Sequence, residues 1–438
     1  MNPLPTLQSF FNSALRRLQM EVKQGQILRS TFEMVALKIG GILLALMGSV
    51  FYARVLGPDG YGLYSFVLAT VAIVTIPASL GLPNYLIREG AKTVGSLGWM
   101  IRWADRHIVF SGLAMAAILL LALVLPVPEK TRWLFVLASP LPLLNNLSAV
   151  RTSLLQARSL IITSQWPQLL LSPIITLTVL GAFWLVSGSL APEHLVAMVT
   201  VTAAIIFVLK SHQAGRIAGT HPPESGHSPL SILTSLPLMW LATLYLLNSR
   251  IDLLIVTKLS GEHEAGLYAI GARTAELITL ISAAANMHLA PKIARLYHRG
   301  ETDNLQRLLR KTAARYLVAT SPLVILFLAF GKPIIVALYG IAYSGSTDSL
   351  QILACAQFGF LIFGSVGTIL IMTDNIRHCL RGIGIAVAAN IVLNLALVPE
   401  HGATGAAVAT GISLVLGQGL LWLSIRKYTG LRSSAMGF

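Results

Sequence analysis

The stretch ARVLGPDGYGLYSFVLATVAIVTIPASLGLPNYLIRE, residues 53–89, decides the fold. An apolar run ends at Arg54, a Gly-Pro-Asp-Gly turn follows, and Gly62, Leu63 and Tyr64 restart an apolar run that lasts to Leu82. About two hundred residues later the same grammar returns in VTKLSGEHEAGLYAIGARTAELITL, 256–280. A run ends, the chain turns on Gly261 and acidic residues, and Gly266, Leu267 and Tyr268 restart it. Each stretch marks a tight reversal between two long hydrophobic helices. The chain therefore reads as a duplicated helical hairpin, one per half.

Composition places these helices in a bilayer. The 438 residues are 55% hydrophobic and only 11% charged, against about 25% charged in a soluble domain. Mean hydropathy is +0.73, and apolar runs near spanning length recur along the chain. A net charge of +15 would suggest nucleic acid in a soluble protein. Here it follows from the cytoplasmic bias of Lys and Arg in membrane proteins, and no nucleic-acid partner is expected. The two cysteines, Cys355 and Cys379, offer neither a disulfide framework nor metal-ligand spacing. No cleavable signal peptide is evident.

The hydropathy pattern predicts an all-α membrane protein of about 12 spans. Residues 1–33 are polar and basic with an apolar stripe, which predicts an amphipathic, cytoplasmic segment at the membrane surface. Spans one to six occupy 34–210 and spans seven to twelve 231–425, with a tail at 426–438. Residues 211–230, rich in His, Pro, Gly and Ser, are the linker. His212, His221 and His227 there lack acidic or Cys partners at metal-binding spacing. With the N-terminus inside, the cytoplasmic segments hold about 24 Lys and Arg and the outer turns about four. That alternation puts both termini in the cytoplasm. Outer connections are too short for a catalytic domain. Prolines inside spans, among them Pro140, Pro167, Pro237 and Pro322, predict kinks. Small residues such as Gly271, Gly405, Ala409 and Gly411 predict close helix crossings.

Few charges fall inside spans, and each costs about 2.5–3.5 kcal/mol on insertion scales. Arg250 and Asp252 lie in span seven, Arg273 and Glu276 in span eight. At 1.5 Å per residue, Asp252 sits roughly 8 Å and Arg273 roughly 12 Å below the turn, which predicts that they meet. Arg273 and Glu276 share a helix face. An interhelical ion pair that pins the hairpin is one reading. The first half, however, has no charge at the matching positions, with Ala69 and Ala72 opposite Arg273 and Glu276. A polar central cavity is the other reading. Arg54, near the mouth of span one, could extend a basic lining, and Asn390 and Asn394 add polar groups to one face of span eleven.

RVLGPDGYGLYSF with ASLGLPNYLIRE resembles the opening hairpin of the oligosaccharide flippases, the Wzx-type O-antigen translocases. GLYAIGARTAELI, LAPKIARLYHRGETDNLQRLLRK and NIVLNLALVPEHGATGAAVATGIS resemble that family's second half. The resemblance runs from about Met34 to Trp422 and extends to the wider multidrug/oligosaccharidyl-lipid/polysaccharide exporter superfamily. It implies two six-helix lobes around a central cavity that opens alternately to each side. It also implies a polyprenyl-pyrophosphate-linked oligosaccharide as substrate, in the bacterial inner membrane. Polymerase and glycosyltransferase partners would then serve surface polysaccharide assembly.

On this reading Arg54, Arg250, Arg273 and Asn390 are candidate substrate-binding residues, because guanidinium pairs bidentately with phosphate. Asp252 and Glu276 are candidates for coupling to a proton or sodium gradient. No nucleotide-binding loop, cofactor or catalytic residue is expected. A multidrug/cation antiporter is the alternative, although its substrates would prefer an acidic cavity. A membrane polysaccharide polymerase or ligase would need a large external loop.

Overall fold

The computed structural model describes residues 7–92, 97–124, 128–218 and 231–431. His221 and His227 lie outside them. All regular structure among the described residues is helical. The first half of the chain holds α1 (Leu7–Ala78), α2 (Leu82–Lys92), α3 (Gly98–Leu120), α4 (Glu129–Ala138), α5 (Leu141–Ala157), α6 (Ile161–Trp166), α7 (Ser172–Ser187) and α8 (Pro192–Ala218). The second half holds α9 (Ile232–Ala275), α10 (Leu280–His298), α11 (Thr302–Tyr339), α12 (Ser346–Ile362), α13 (Val366–Met372) and α14 (Ile376–Thr429). Among the described residues eight helices are long and apolar enough to cross a membrane, or nine if the bent pair α12 and α13 forms one span.

Three of these helices are hairpins. Each contains one glycine outside helical geometry: Gly57 at φ 69°, ψ 176°, Gly261 at φ 89°, ψ 178°, and Gly402 at φ 51°, ψ −129°. Positive φ at no steric cost is what glycine supplies there. Side chains far apart in sequence then meet. The rings of Tyr52 and Tyr64 are 6.3 Å apart, Tyr268 donates to Asp252, and Asn390 Nδ2 donates to Ser413 Oγ at 3.0 Å. In a straight helix the last pair would be roughly 35 Å apart. The nearly identical turns at Gly57 and Gly261 are the duplicated reversals anticipated from sequence.

Each half has its own apolar core. Leu86, Met100, Ile108, Val150 and Leu154 form one in the first half. Ile293, Leu305, Ile369, Ile383 and Leu421 form one in the second. A third core belongs to both, because it joins Tyr52, Ala53, Tyr61 and Ala69 to Val256, Ile270, Ala275, Tyr339 and Tyr343. This shared core follows the long contact between α1 and α9.

Several details differ from the sequence expectation. The backbone is helical from Leu7 without a break into the first span, so residues 7–33 continue that span's axis. Helix α8 runs to Ala218, about two turns beyond the expected end, and carries His212 on its last turns. The eighth span is interrupted by a 3-10 turn at Glu276–Thr279. The tenth is broken, with α12 and α13 bent by 40°. In α11 the distortion falls at Phe330, φ −125°, and no break occurs at Pro322. Pro333 explains it, since a helical proline removes one backbone bond and its ring strikes the carbonyl four residues earlier. Pro167 opens a π-helical turn at Pro167–Leu171. The small residues behave as expected: a Cβ on Gly411 would lie 3.1 Å from the Ala356 Cβ, and one on Gly271 would lie 2.9 Å from the Ser349 Cβ.

The two halves touch at both ends of the seam. At the end carrying the glycine turns, Tyr343 donates to Ala53 O at 3.0 Å and Arg54 Nε donates to Leu338 O at 2.7 Å. At the opposite end, Ser235 Oγ donates to Leu80 O at 2.6 Å and Ser231 N donates to Tyr85 Oη at 3.1 Å. A cavity remains between these closures.

Candidate functional site

The cavity has a volume of about 320 Å³ and is lined by both hairpins, α1 and α9. One wall comes from the two arms of α1: Ser49, Tyr52, Tyr61, Tyr64 and Ser65, with Ala69 and Ala72 beyond them. The facing wall comes from α9 and the 3-10 turn: Arg250, Asp252, Tyr268, Arg273 and Glu276. Four of the six residues singled out for their charge or polarity therefore line one space. The glycine reversals bring them together, since each hairpin presents two antiparallel arms to its partner.

The charges are unequally satisfied. Arg250 has no salt-bridge partner among the described residues. Arg273 Nη1 stands 3.8 Å from Glu276 Oε2, with the two side chains 38% and 41% exposed. An open pair at that distance is worth about 0–1 kcal/mol, so Arg273 can be recruited by an anion at little cost. The two guanidiniums therefore stand in a wall that water reaches, together with the carboxylates of Asp252 and Glu276.

Asp252 is built differently. It is 2% exposed. Its carboxylate accepts from Leu253 N at 2.8 Å, from Thr410 Oγ1 at 2.9 Å and from the Tyr268 hydroxyl. Asn390 extends the network by donating to Thr410 Oγ1 at 3.4 Å and Ser413 Oγ at 3.0 Å. Asn394 donates to Asn390 O at 2.9 Å. The network ties α9 to both arms of α14. Among the described residues no group of His, Cys, Asp and Glu is arranged to hold a metal ion.

The expected meeting of Asp252 with Arg273 does not occur: Tyr268 takes that position. The reason is helical phase. Arg273 lies five residues beyond Tyr268, about 140° around the helix and roughly 7.5 Å along it, so it faces the cavity while Asp252 faces α14. Asn390 lies behind the cavity wall at 0% exposure. Arg54 also lies off the lining. Its guanidinium donates to Leu338 O and to Ala337 O, 2.7 and 2.5 Å away, which are last-turn carbonyls of α11.

The tyrosines were not singled out from sequence. Tyr64 and Tyr268 belong to the repeated Gly-Leu-Tyr triplet, which by sequence alone reads as a turn signal. For Tyr64 the spacing relative to Tyr61 and Tyr52 carries the missing signal, because the reversal at Gly57 folds these three onto one face.

The family model for polysaccharide biosynthesis proteins matches residues 51–348. An uncharacterized membrane protein of Methanocaldococcus jannaschii is 26% identical over 160 residues, which cover 34% of this chain and 29% of that protein. Among solved structures, the lipid II flippase MurJ in an inward closed conformation superposes with a TM-score of 0.69 at 16% identity, over 90% of this chain and 87% of the other. An inward-facing multidrug resistance MATE transporter of the MOP superfamily gives 0.68 at 12% identity, over 89% and 94%. The Vibrio cholerae MATE transporter VcmN in its bent form gives 0.59 at 15% identity, over 92% and 97%. At such identities the likeness is one of fold. The family match spans more than half of the chain and includes both glycine reversals that build the cavity. This multi-pass membrane protein thus belongs to the polysaccharide biosynthesis protein family and has the MOP exporter fold.

Proposed function

We propose that the protein is an alternating-access flippase for polyprenyl-pyrophosphate-linked oligosaccharides in the bacterial inner membrane. The observation that carries this reading is the pair of guanidiniums in one cavity wall: Arg250, which makes no salt bridge among the described residues, and Arg273, which Glu276 holds loosely. Two guanidiniums suit a pyrophosphate, which presents oxygens for bidentate pairing. Membership of a polysaccharide biosynthesis family supports a sugar-bearing substrate. The likeness to a flippase named for lipid II supports a lipid-linked one.

Counting the arms of α1, α9 and α14 separately and α12 with α13 as one gives twelve crossings. The halves 34–210 and 231–425 are then six-helix lobes with both termini in the cytoplasm. Transport requires the lobes to part at one end of the seam and then at the other. The cavity, about 320 Å³, is at the small end for ligand sites. It would admit a pyrophosphate and its first sugar, and a whole repeat unit would need the lobes apart. Asp252 is the candidate for coupling to a proton or sodium gradient, since it links the cavity to α14. Arg273 can exchange its partner Glu276 for the pyrophosphate, which frees Glu276, the second coupling candidate, to take up a cation. Glycosyltransferases would supply the substrate and a polymerase would consume it.

Reconstitution tests the reading. Proteoliposomes should move undecaprenyl-pyrophosphoryl N-acetylglucosamine between leaflets, and Arg273→Ala should slow this about tenfold or more at equal protein density. Asp252→Asn should remove any dependence on an imposed sodium or proton gradient. Transport of cationic dyes without transport of the lipid-linked sugar would favour the antiporter.

A further inference from the structure

The wall of α1 carries an unusual set of hydroxyls. Tyr52 and Tyr61 are 8% and 6% exposed, and the half-buried Tyr64 stands between them. Ring centroids are 6.3 Å apart for Tyr52–Tyr64 and 6.0 Å for Tyr61–Tyr64. None of these three hydroxyls has a hydrogen-bond partner among the described residues, and all three side chains line the cavity.

Every other buried tyrosine among the described residues is satisfied. Tyr85 accepts from Ser231 N, Tyr268 donates to Asp252, and Tyr316 donates to Asn286. Tyr339 accepts from Thr274, and Tyr343 donates to Ala53 O. The three hydroxyl oxygens are not sealed inside the protein but open onto the cavity, where they are free to bond to what occupies it. Three in one cluster, all aimed at the same space, point to something that enters it.

The repeat shows how the hydroxyls came to be free. Tyr64 is the counterpart of Tyr268, whose hydroxyl is taken by Asp252. The position matching Asp252 in the first half is Gly48, whose added Cβ would lie 3.3 Å from the Tyr52 ring. Without a carboxylate there, the Tyr64 hydroxyl has nothing to bond, and the ring of Tyr52 occupies the vacated room. One half uses its tyrosine for internal bonding, while the other presents tyrosines to the cavity.

We infer that Tyr52, Tyr61 and Tyr64 form a saccharide subsite, which reads the first sugar of the pyrophosphate-linked substrate. The inference rests on the flippase reading. Phenol hydroxyls both donate to and accept from sugar hydroxyls, and ring faces pack on the apolar C–H faces of a pyranose. The geometry suits a ligand bound at two points. Arg273 lies within electrostatic reach of Tyr61 and Tyr64, so a pyrophosphate on the arginine wall puts its sugar against the tyrosine wall.

The test compares two probes in nanodiscs, undecaprenyl pyrophosphate and undecaprenyl-pyrophosphoryl N-acetylglucosamine. Wild-type protein should bind the sugar-bearing lipid about three- to tenfold more tightly, a factor one or two net hydrogen bonds supply. Tyr61→Phe and Tyr64→Phe keep the ring and lose only the hydroxyl, so they should fold. Each should shrink that margin, and the triple Phe variant should abolish it while affinity for undecaprenyl pyrophosphate holds. Arg273→Ala should weaken both lipids together. A margin that survives in the triple variant overturns the subsite and leaves the flippase reading intact. A wild-type protein that binds neither lipid overturns the flippase reading and the subsite with it.

Discussion

Gly62 and Gly266 face each other across the seam between the two halves of the chain. A Cβ on Gly62 would lie 2.8 Å from the amide nitrogen of Gly266 and would strike the Glu262 carbonyl, and a Cβ on Gly266 would strike the Pro58 carbonyl. The relationship is reciprocal. Each glycine follows its own helix reversal by five residues, and each abuts the backbone just after the other's reversal. Such an exchange is what a pseudo-twofold axis running between the hairpins produces.

The first prediction follows from this contact. Gly62→Ala and Gly266→Ala each force backbone apart where no flexible side chain can yield. Either should destabilise the closed seam by about 1–3 kcal/mol, as overpacking does. The melting temperature in detergent should fall for both by similar amounts, whereas Gly181→Ala, with open space around its Cβ, should leave it unchanged.

A second prediction concerns topology. Asp303 and Ala342 are both exposed, near the two ends of α11. In a variant lacking Cys355 and Cys379, Ala342→Cys should react with an impermeant thiol reagent in intact spheroplasts. Asp303→Cys should react only after permeabilisation. The reverse pattern would invert the orientation derived from the distribution of Lys and Arg.

A third prediction separates the arginine wall from the aspartate network. Arg273 and Asp252 do not pair, so their losses should add. Arg273→Ala and Asp252→Ala should each impair lipid-linked sugar transport, and the double variant should be worse than either, with a coupling energy below about 0.5 kcal/mol. Recovery in the double variant would instead identify an ion pair. Arg273→Lys should retain part of the activity, because it keeps charge and loses the fork.

The fourth prediction lies outside the cavity. Arg151 forms a bidentate pair with Asp105, its guanidinium also donates to Ser211 Oγ at 3.3 Å, and it packs 5.1 Å from the Phe207 ring centre. Arg151 is 8% exposed. Removing one partner of a buried pair leaves an uncompensated charge, so Arg151→Ala should cost about 3–5 kcal/mol of stability, read as a lower melting temperature. Replacing both, as Arg151→Met with Asp105→Leu, should restore most of it.

Much of the architecture was legible because a bilayer leaves few options. Backbone polar groups in lipid must be satisfied within the helix, so long apolar runs can be read directly as spans. Gly57 and Gly261 were readable as reversals because a tight turn needs positive φ, and they share nearly the same backbone angles. Breaks inside spans were less legible. The 3-10 turn at Glu276–Thr279 and the bend between α12 and α13 lie in apolar sequence that would equally continue a helix. The helices packed around them decide the matter.

The sequence by itself determined that the chain is helical, membrane-spanning and duplicated, and that four charges, Arg250, Asp252, Arg273 and Glu276, cluster in its third quarter. These are properties of composition, period and repeat, and no neighbour is needed to read them. Only the tertiary structure decided which way each side chain faces. It set Asp252 against Thr410 rather than Arg273, turned Arg54 onto the end of α11, and gathered Tyr52, Tyr61 and Tyr64 around one cavity. The physical reason is angular. Each residue advances a helix by about 100°, so a shift of one position between antiparallel arms changes the partner. Register across a hairpin is fixed by close packing at the seam, where Gly62 and Gly266 meet, and not by either arm alone.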